Sequence, residues 1–237
     1  MMMLKKELIL RNPLRFLEND IGDILPEGGF GAVLARAGVG KTAILVQLAL
    51  NMLLKGKNVL HISLDDPVKK LTLWYKEVFQ HLTKQYESRE VSPIWEAVLP
   101  HRFIMTFRVE GFSSSKLEER MTDLKEQNIF SPQAVIIDGF NFNKDARTSL
   151  SDLKRLAEKH SLHVWFSAKT HRHQKPGPEG IPSPISDIID LFDLVIQLSP
   201  EGKEIHVKTL KGKADDIDQH TLLLDPSTML VKGSESV

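Results

Sequence analysis

Cysteine is absent from all 237 positions, which excludes disulfides and thiolate metal sites and fits a reducing compartment, here expected to be the cytoplasm. Net charge is absent too, with 31 Lys and Arg against 31 Asp and Glu. A neutral chain offers no global attraction to nucleic acid or an acidic membrane and leaves only a local basic patch for such a partner. Long apolar runs are also missing. The longest, 43–54, is too short to span a bilayer and is interrupted by Gln47 and Asn51. The first ten residues are broken by Lys5, Lys6 and Glu7 and lack the apolar centre of a signal peptide. No repeat or low-complexity linker divides the chain, so one domain over 1–237 is expected, with a lead-in over 1–28, C-terminal strands over 203–237 and no membrane partner.

The most specific feature that is present is Ala35-Arg36-Ala37-Gly38-Val39-Gly40-Lys41-Thr42, set between the apolar run 30–34 and the helical run 43–54. Strand, glycine-rich turn, Gly-Lys-Thr and helix in that order make a phosphate-binding (Walker A) loop. Small residues let backbone N–H groups turn inward around an anion, and the helix N-terminus adds its positive dipole end. On this reading Ala37, Gly38, Val39, Gly40, Lys41, Thr42 and Ala43 surround the phosphates of ATP. Lys41 reaches the β- and γ-phosphates, and the Thr42 hydroxyl sits on Mg²⁺. Ala35 stands where the pattern has its first glycine, a mild change if that residue has an ordinary negative φ.

The remaining pattern alternates. Strands are expected at 30–34, 58–64, 102–107, 134–137, 162–167 and 194–198, and helices at 12–25, 43–54, 68–86, 115–127 and 149–160. Ser115 and Glu118 have capping-box spacing, which marks a helix start. Trp74, Tyr75, Phe79 and Leu82 recur near helical spacing, better read as a packing stripe than as a base-binding surface. Alternation of this kind implies a mostly parallel central sheet flanked by helices. The tail differs: 204–210, 220–224 and 229–232 look like antiparallel strands added to the sheet edge.

Two acidic positions should meet the nucleotide. The run Ala134-Val135-Ile136-Ile137-Asp138 is an apolar strand ending in an acid (Walker B), expected beside the loop strand, with Asp138 holding Mg²⁺ through water. The strand after the loop helix ends Ser63-Leu64-Asp65-Asp66-Pro67. Either acid could orient or deprotonate an attacking water; Asp65 is the preferred candidate, with Asp66 expected to cap the next helix.

These residues resemble the RecA-like P-loop ATPases, in particular the branch of DnaB-type and RepA-type helicases and KaiC-type proteins. Ser63-Leu64-Asp65 stands where that group reads "SLE", and the order of segments 153–167, 183–198 and 207–212 is similar to the family's. The resemblance implies a RecA-like fold, Mg²⁺-dependent ATP hydrolysis and assembly into a ring or filament. It also implies that cations of the C-terminal hairpin reach a neighbouring subunit's nucleotide. Lys208 and Lys211, with Lys213, are the candidates here, because Leu210 occupies the finger-arginine position; the sensor position holds Ala168. The loop 169–180 is basic and rich in Pro and Gly. In the family the equivalent region contacts single-stranded DNA, although this loop has no aromatic residue for stacking and serves equally well as a subunit contact.

The expected function is therefore ATP binding and hydrolysis that couples nucleotide state to oligomer geometry, with DNA as a candidate partner. The alternative is a nucleotide-gated regulatory or scaffolding protein with negligible turnover, motivated by Leu210 and Ala168. A phosphotransferase is weaker, since no acceptor pocket is evident.

Overall fold

Six apolar runs become parallel strands, and most are buried on both sides, as a sheet covered by helices on each face requires. They are β1 (Phe30–Ala35), β2 (Val59–Ser63), β3 (Arg102–Thr106), β4 (Ala134–Asp138), β5 (His163–Lys169) and β6 (Leu194–Glu201). β7 (Glu204–Lys211), β8 (Leu222–Leu224) and β9 (Val231–Gly233) extend the sheet antiparallel, in the order β3-β2-β4-β5-β1-β6-β7-β8-β9. The computed structural model describes residues 2–18, 23–108, 111–143, 145–170, 177, 180–212 and 222–233.

Because successive side chains of a strand point to opposite faces, β1 feeds two cores. Val33 and Ala35 join Trp165 beneath α1 (Met2–Leu10), α2 (Lys41–Leu54), α3 (Val68–Leu82) and α4 (Ser88–Val98). Phe30, Ala32 and Leu34 join Phe166 beneath α5 (Ser114–Glu126), α6 (Ala146–Lys159) and the short α7 (Ser183–Ser186). Among the described residues no helix is long and apolar enough to cross a membrane.

Several sequence expectations need correction. The helix expected over 12–25 lies instead at Met2–Leu10. It ends before Asn12-Pro13, where proline pushes Asn12 into extended backbone (φ −73°, ψ 117°), and Pro13–Leu17 forms only a 3-10 turn. The helix expected over 68–86 stops at Leu82, where the Thr83 hydroxyl donates to the Phe79 carbonyl at 2.7 Å and φ leaves the helical range. A second helix, α4, follows it. The start of α5 is capped by Ser113, whose hydroxyl accepts from Lys116 N at 3.3 Å, and not by Ser115; Glu118 pairs with Lys159. Asp66 does not cap α3: Pro67 holds the N-cap position, and Asp66 pairs with Lys70 at 2.9 Å. Finally, β4 does not adjoin β1. β5 lies between them, pairing with both. Runs buried on both faces look alike in sequence, so pattern alone does not order them.

Two buried polar contacts shape what surrounds the loop helix. Gln47 of α2 donates to the Met229 carbonyl at 2.7 Å and accepts from Val231 N at 2.8 Å, fastening the turn before β9 onto α2. On β2, His61 is fully buried with Nδ1 2.9 Å from the Tyr75 hydroxyl, and the Arg102 guanidinium stacks 4.6 Å from the Tyr75 ring centroid. Burial, and secondarily the nearby Arg102 charge, pushes the His61 pKa down to about 3. Unfolded His titrates near 6.5. Between about pH 6.5 and 3 the unfolded chain therefore binds a proton that the folded chain refuses, and stability falls with acidification. Above the unfolded value this contribution is complete. The expected slope from His61 is about 1.4 kcal/mol per pH unit within that window. Urea unfolding of wild type and His61→Asn at pH 7 and pH 5 checks it; the variant should lose less stability between the two.

Candidate functional site

The carboxyl ends of β1, β2, β4 and β5 open into one cleft of about 1220 Å³. Its walls include Ala37, Gly38, Lys41 and Thr42 from the glycine-rich turn and the start of α2, Ser63 at the end of β2 with Asp65 and Asp66 beyond it, Asp138 at the end of β4 with Gly139 beyond it, and Ser167 and Lys169 of β5. Ligand sites of parallel α/β sheets lie at this edge.

The turn between β1 and α2 needs its glycines. Gly38 and Gly40 have φ of +77° and +113°, a region that L side chains rarely adopt. Ala35 does not share that requirement. It is the last residue of β1, paired with Lys169, and its carbonyl accepts from Thr170 N at 3.0 Å. Its methyl group therefore costs no strain. Ala37, Gly38, Lys41 and Thr42 face the cleft, Val39 packs toward the core beneath α2, and Ala43 is buried in the first turn of that helix. Lys41 Nζ donates to the carbonyls of Ala35 at 3.2 Å and Arg36 at 3.1 Å. Burial holds its pKa below the usual lysine range, opposed by the Asp138 charge.

Asp138 is the junction. Its Oδ2 accepts from the Thr42 hydroxyl at 2.8 Å and its Oδ1 from the Ser167 hydroxyl at 2.5 Å, while its carbonyl accepts from Leu64 N at 2.9 Å. Ser167 in turn accepts from Gly139 N at 2.9 Å. The ends of β2, β4 and β5 and the start of α2 are thus linked through one residue and its neighbours. Ser167 had no separate signal in the sequence, because its role depends on β5 lying between β1 and β4.

Asp65 stands beside the junction, next to Gly139. Burial, then the charges of Asp138 and Asp66, hold its pKa above the ordinary 3.8, with Lys169 and Lys41 opposing. Gly139, at φ +91°, leaves room for it: a Cβ there would lie 2.7 Å from Asp65 Oδ2. Asp66 also lines the cleft, but its side chain is paired with Lys70 at 2.9 Å and its N–H donates to the Ser63 hydroxyl at 2.9 Å. Of the two acids, Asp65 is the one placed beside the junction.

The other sequence candidates lie elsewhere. Lys208 is paired with Glu201, and Lys211 Nζ donates to the Ile189 carbonyl at 2.9 Å, so neither reaches its own chain's cleft. Lys213 and most of the 169–180 loop, including Arg172, Lys175 and both of its histidines, lie outside the described residues. Trp74, Tyr75, Phe79 and Leu82 form a packing stripe, with Tyr75 and Phe79 buried.

Oxygen is the only donor type that the junction offers a cation. Among the described residues no three His, Cys, Asp or Glu side chains form a metal cage. A hard divalent ion could be held here by Thr42 and Asp138 with water and phosphate oxygens completing its shell, the way Mg²⁺ is usually bound.

A family model described as an AAA domain matches residues 9–172, about two thirds of the chain. The chain belongs to this family of P-loop ATPases. The matched stretch of the AAA domain runs through β1 to β5 and so contains the glycine-rich turn, Asp65, Asp138 and Ser167; Lys208 and Lys211 fall beyond it. No curated protein matches the chain.

The contact between Gly139 and Asp65 yields a test. Gly139→Ala should cost at least about 1 kcal/mol, from its positive φ and the clash with Asp65. In a double-mutant cycle with Asp65→Ala, measured by urea unfolding, part of that cost should disappear because the clashing carboxylate is gone.

Proposed function

We propose that this chain binds ATP with Mg²⁺ at the cleft and hydrolyses it, on a RecA-like version of the P-loop ATPase fold. The observation that carries the reading is the convergence of Lys41, Thr42, Asp138 and Asp65 on one cleft at the sheet edge. Backbone N–H groups of the turn and the N-terminus of α2 bind the phosphates, and Lys41 turns from its carbonyl partners to the β- and γ-phosphates. Thr42 and Asp138 hold Mg²⁺. When bound, that ion neutralises charge on the phosphate oxygens.

Asp65 orients the water and takes its proton. The water oxygen forms a bond to the γ-phosphorus as the bond from that phosphorus to the β–γ bridging oxygen breaks, and ADP leaves with the electron pair. A raised pKa suits a carboxylate that must accept a proton during the step.

Two extensions draw their support from the resemblance and the sequence. One is assembly into a ring or filament in which Lys208 or Lys211 meets the neighbour's nucleotide. The other is contact of the 169–180 loop with single-stranded DNA. The alternative, a nucleotide-gated regulator with negligible turnover, is favoured by the engagement of Lys208 and Lys211 within their own chain.

Steady-state ATP hydrolysis with and without single-stranded DNA tests these readings. Lys41→Ala should lower turnover by about 10²–10³-fold and Asp65→Ala by about 10²–10⁴-fold. Turnover should fall on acidification with a midpoint above that of an ordinary aspartate, and this limb should be lost in Asp65→Asn. Tight ATP binding that depends on Lys41, with slow hydrolysis insensitive to Asp65→Ala, would establish the regulator instead.

A further inference from the structure

We propose that the cavity between α3 and α4 is a second ligand site, one that takes a small aromatic anion: a planar ring system carrying a carboxylate. The inference stands apart from the nucleotide reading, because no described residue lines both this cavity and the cleft.

Helix α3 stops at Leu82, and the chain turns through 83–87 before α4 begins at Ser88. The two helices touch where Phe79 meets Trp95, with ring centroids 4.8 Å apart and planes inclined at 38°. Beside that contact lies an open cavity of about 320 Å³. Pockets of roughly this volume and upward hold small molecules.

The chemistry of the lining is specific. Phe79, Tyr86 and Trp95 supply an aromatic wall, with Phe79 buried and the other two half-buried. Such a wall offers offset or edge contacts to a planar ring. Lys76 and Lys84 are exposed at the rim, and neither forms a salt bridge among the described residues. None of the described residues lining the cavity is acidic. Two cations without a counter-charge beside an aromatic wall favour an anionic ring over a neutral or cationic one.

Tyr86 adds a donor. Its hydroxyl is buried and has no hydrogen-bond partner among the described residues. A buried phenol ordinarily has one, and leaving it unpaired costs free energy. The ring belongs to the turn between α3 and α4, where a small tilt presents the hydroxyl to a carboxylate in the cavity.

The test is calorimetric titration of the full chain with 2-naphthoate and, as the neutral control, 2-naphthamide. Wild type should bind naphthoate at one site per chain and about tenfold more tightly than the amide at low salt, as two exposed ion pairs allow. Lys76→Gln combined with Lys84→Gln should bring the two ligands level. Tyr86→Phe should weaken naphthoate binding about three- to tenfold without lowering stability to urea, since the hydroxyl has no partner among the described residues. Ser92→Trp, at an exposed position of α4 on the cavity lining, should block both ligands, and circular dichroism checks the fold of each variant. Failure of wild type to bind 2-naphthoate at millimolar concentration overturns the proposal, as does equal affinity for the amide. So does competitive displacement by a slowly hydrolysed ATP analogue, or loss of binding in Lys41→Ala, since either would put the ligand in the cleft.

Discussion

The 2.8 Å hydrogen bond from the Thr42 hydroxyl to the Asp138 carboxylate joins the start of α2 to the end of β4 across an intervening strand. Its other arm reaches that strand directly, through the Ser167 hydroxyl. A carboxylate shared in this way is held by groups on rigid elements, so its position is set before any ligand arrives. The rest of the cleft follows from it. Leu64 N on the Asp138 carbonyl places the residues after β2, and Gly139 gives Asp65 the space to stand beside the junction. The carboxylates and lysines then sit close enough to shift one another: Asp65 is pushed up and Lys41 down, each by burial first. A bound phosphate chain with its cation would complete that arrangement.

Much of this was legible in the sequence because the turn has strict requirements. Gly38 and Gly40 sit at positive φ, Lys41 and Thr42 open α2, and a strand ending in Asp138 follows, as the spacing had implied. The strand edges were also close to expectation, including the antiparallel tail, since turn residues punctuate them. Strand order was not legible. β4 and β5 are both apolar runs buried on two faces, and nothing local tells which of them lies against β1. That single ambiguity hid Ser167, whose bond to Asp138 exists only because β5 is the inserted strand.

The lead-in failed for a different reason. Met2–Leu10 is built of good helix formers, but its amphipathicity is weak, with Met2, Met3 and Leu10 exposed. The capping error at α5 arose because 113–115 are all serine, and backbone geometry, not residue type, decides which one caps. At the other end of the chain, Gln47 shows how the tail bears on the site. Its amide holds both sides of the turn before β9, and Leu224 lies where a Cβ on Gly40 would stand, 2.7 Å away. The antiparallel strands therefore back the same turn that opens α2, so the sheet edge and the cleft form one packed unit.

Magnesium linkage reports on the Thr42–Asp138 junction itself. Nucleotide affinity should be measured for wild type and Asp138→Asn, each with Mg²⁺ and with a chelator in its place. Mg²⁺ should strengthen binding to wild type, whereas Asp138→Asn should bind metal-free nucleotide equally well but gain little from the ion. An equal gain in both proteins would contradict the account, as would a wild type that binds no nucleotide under either condition.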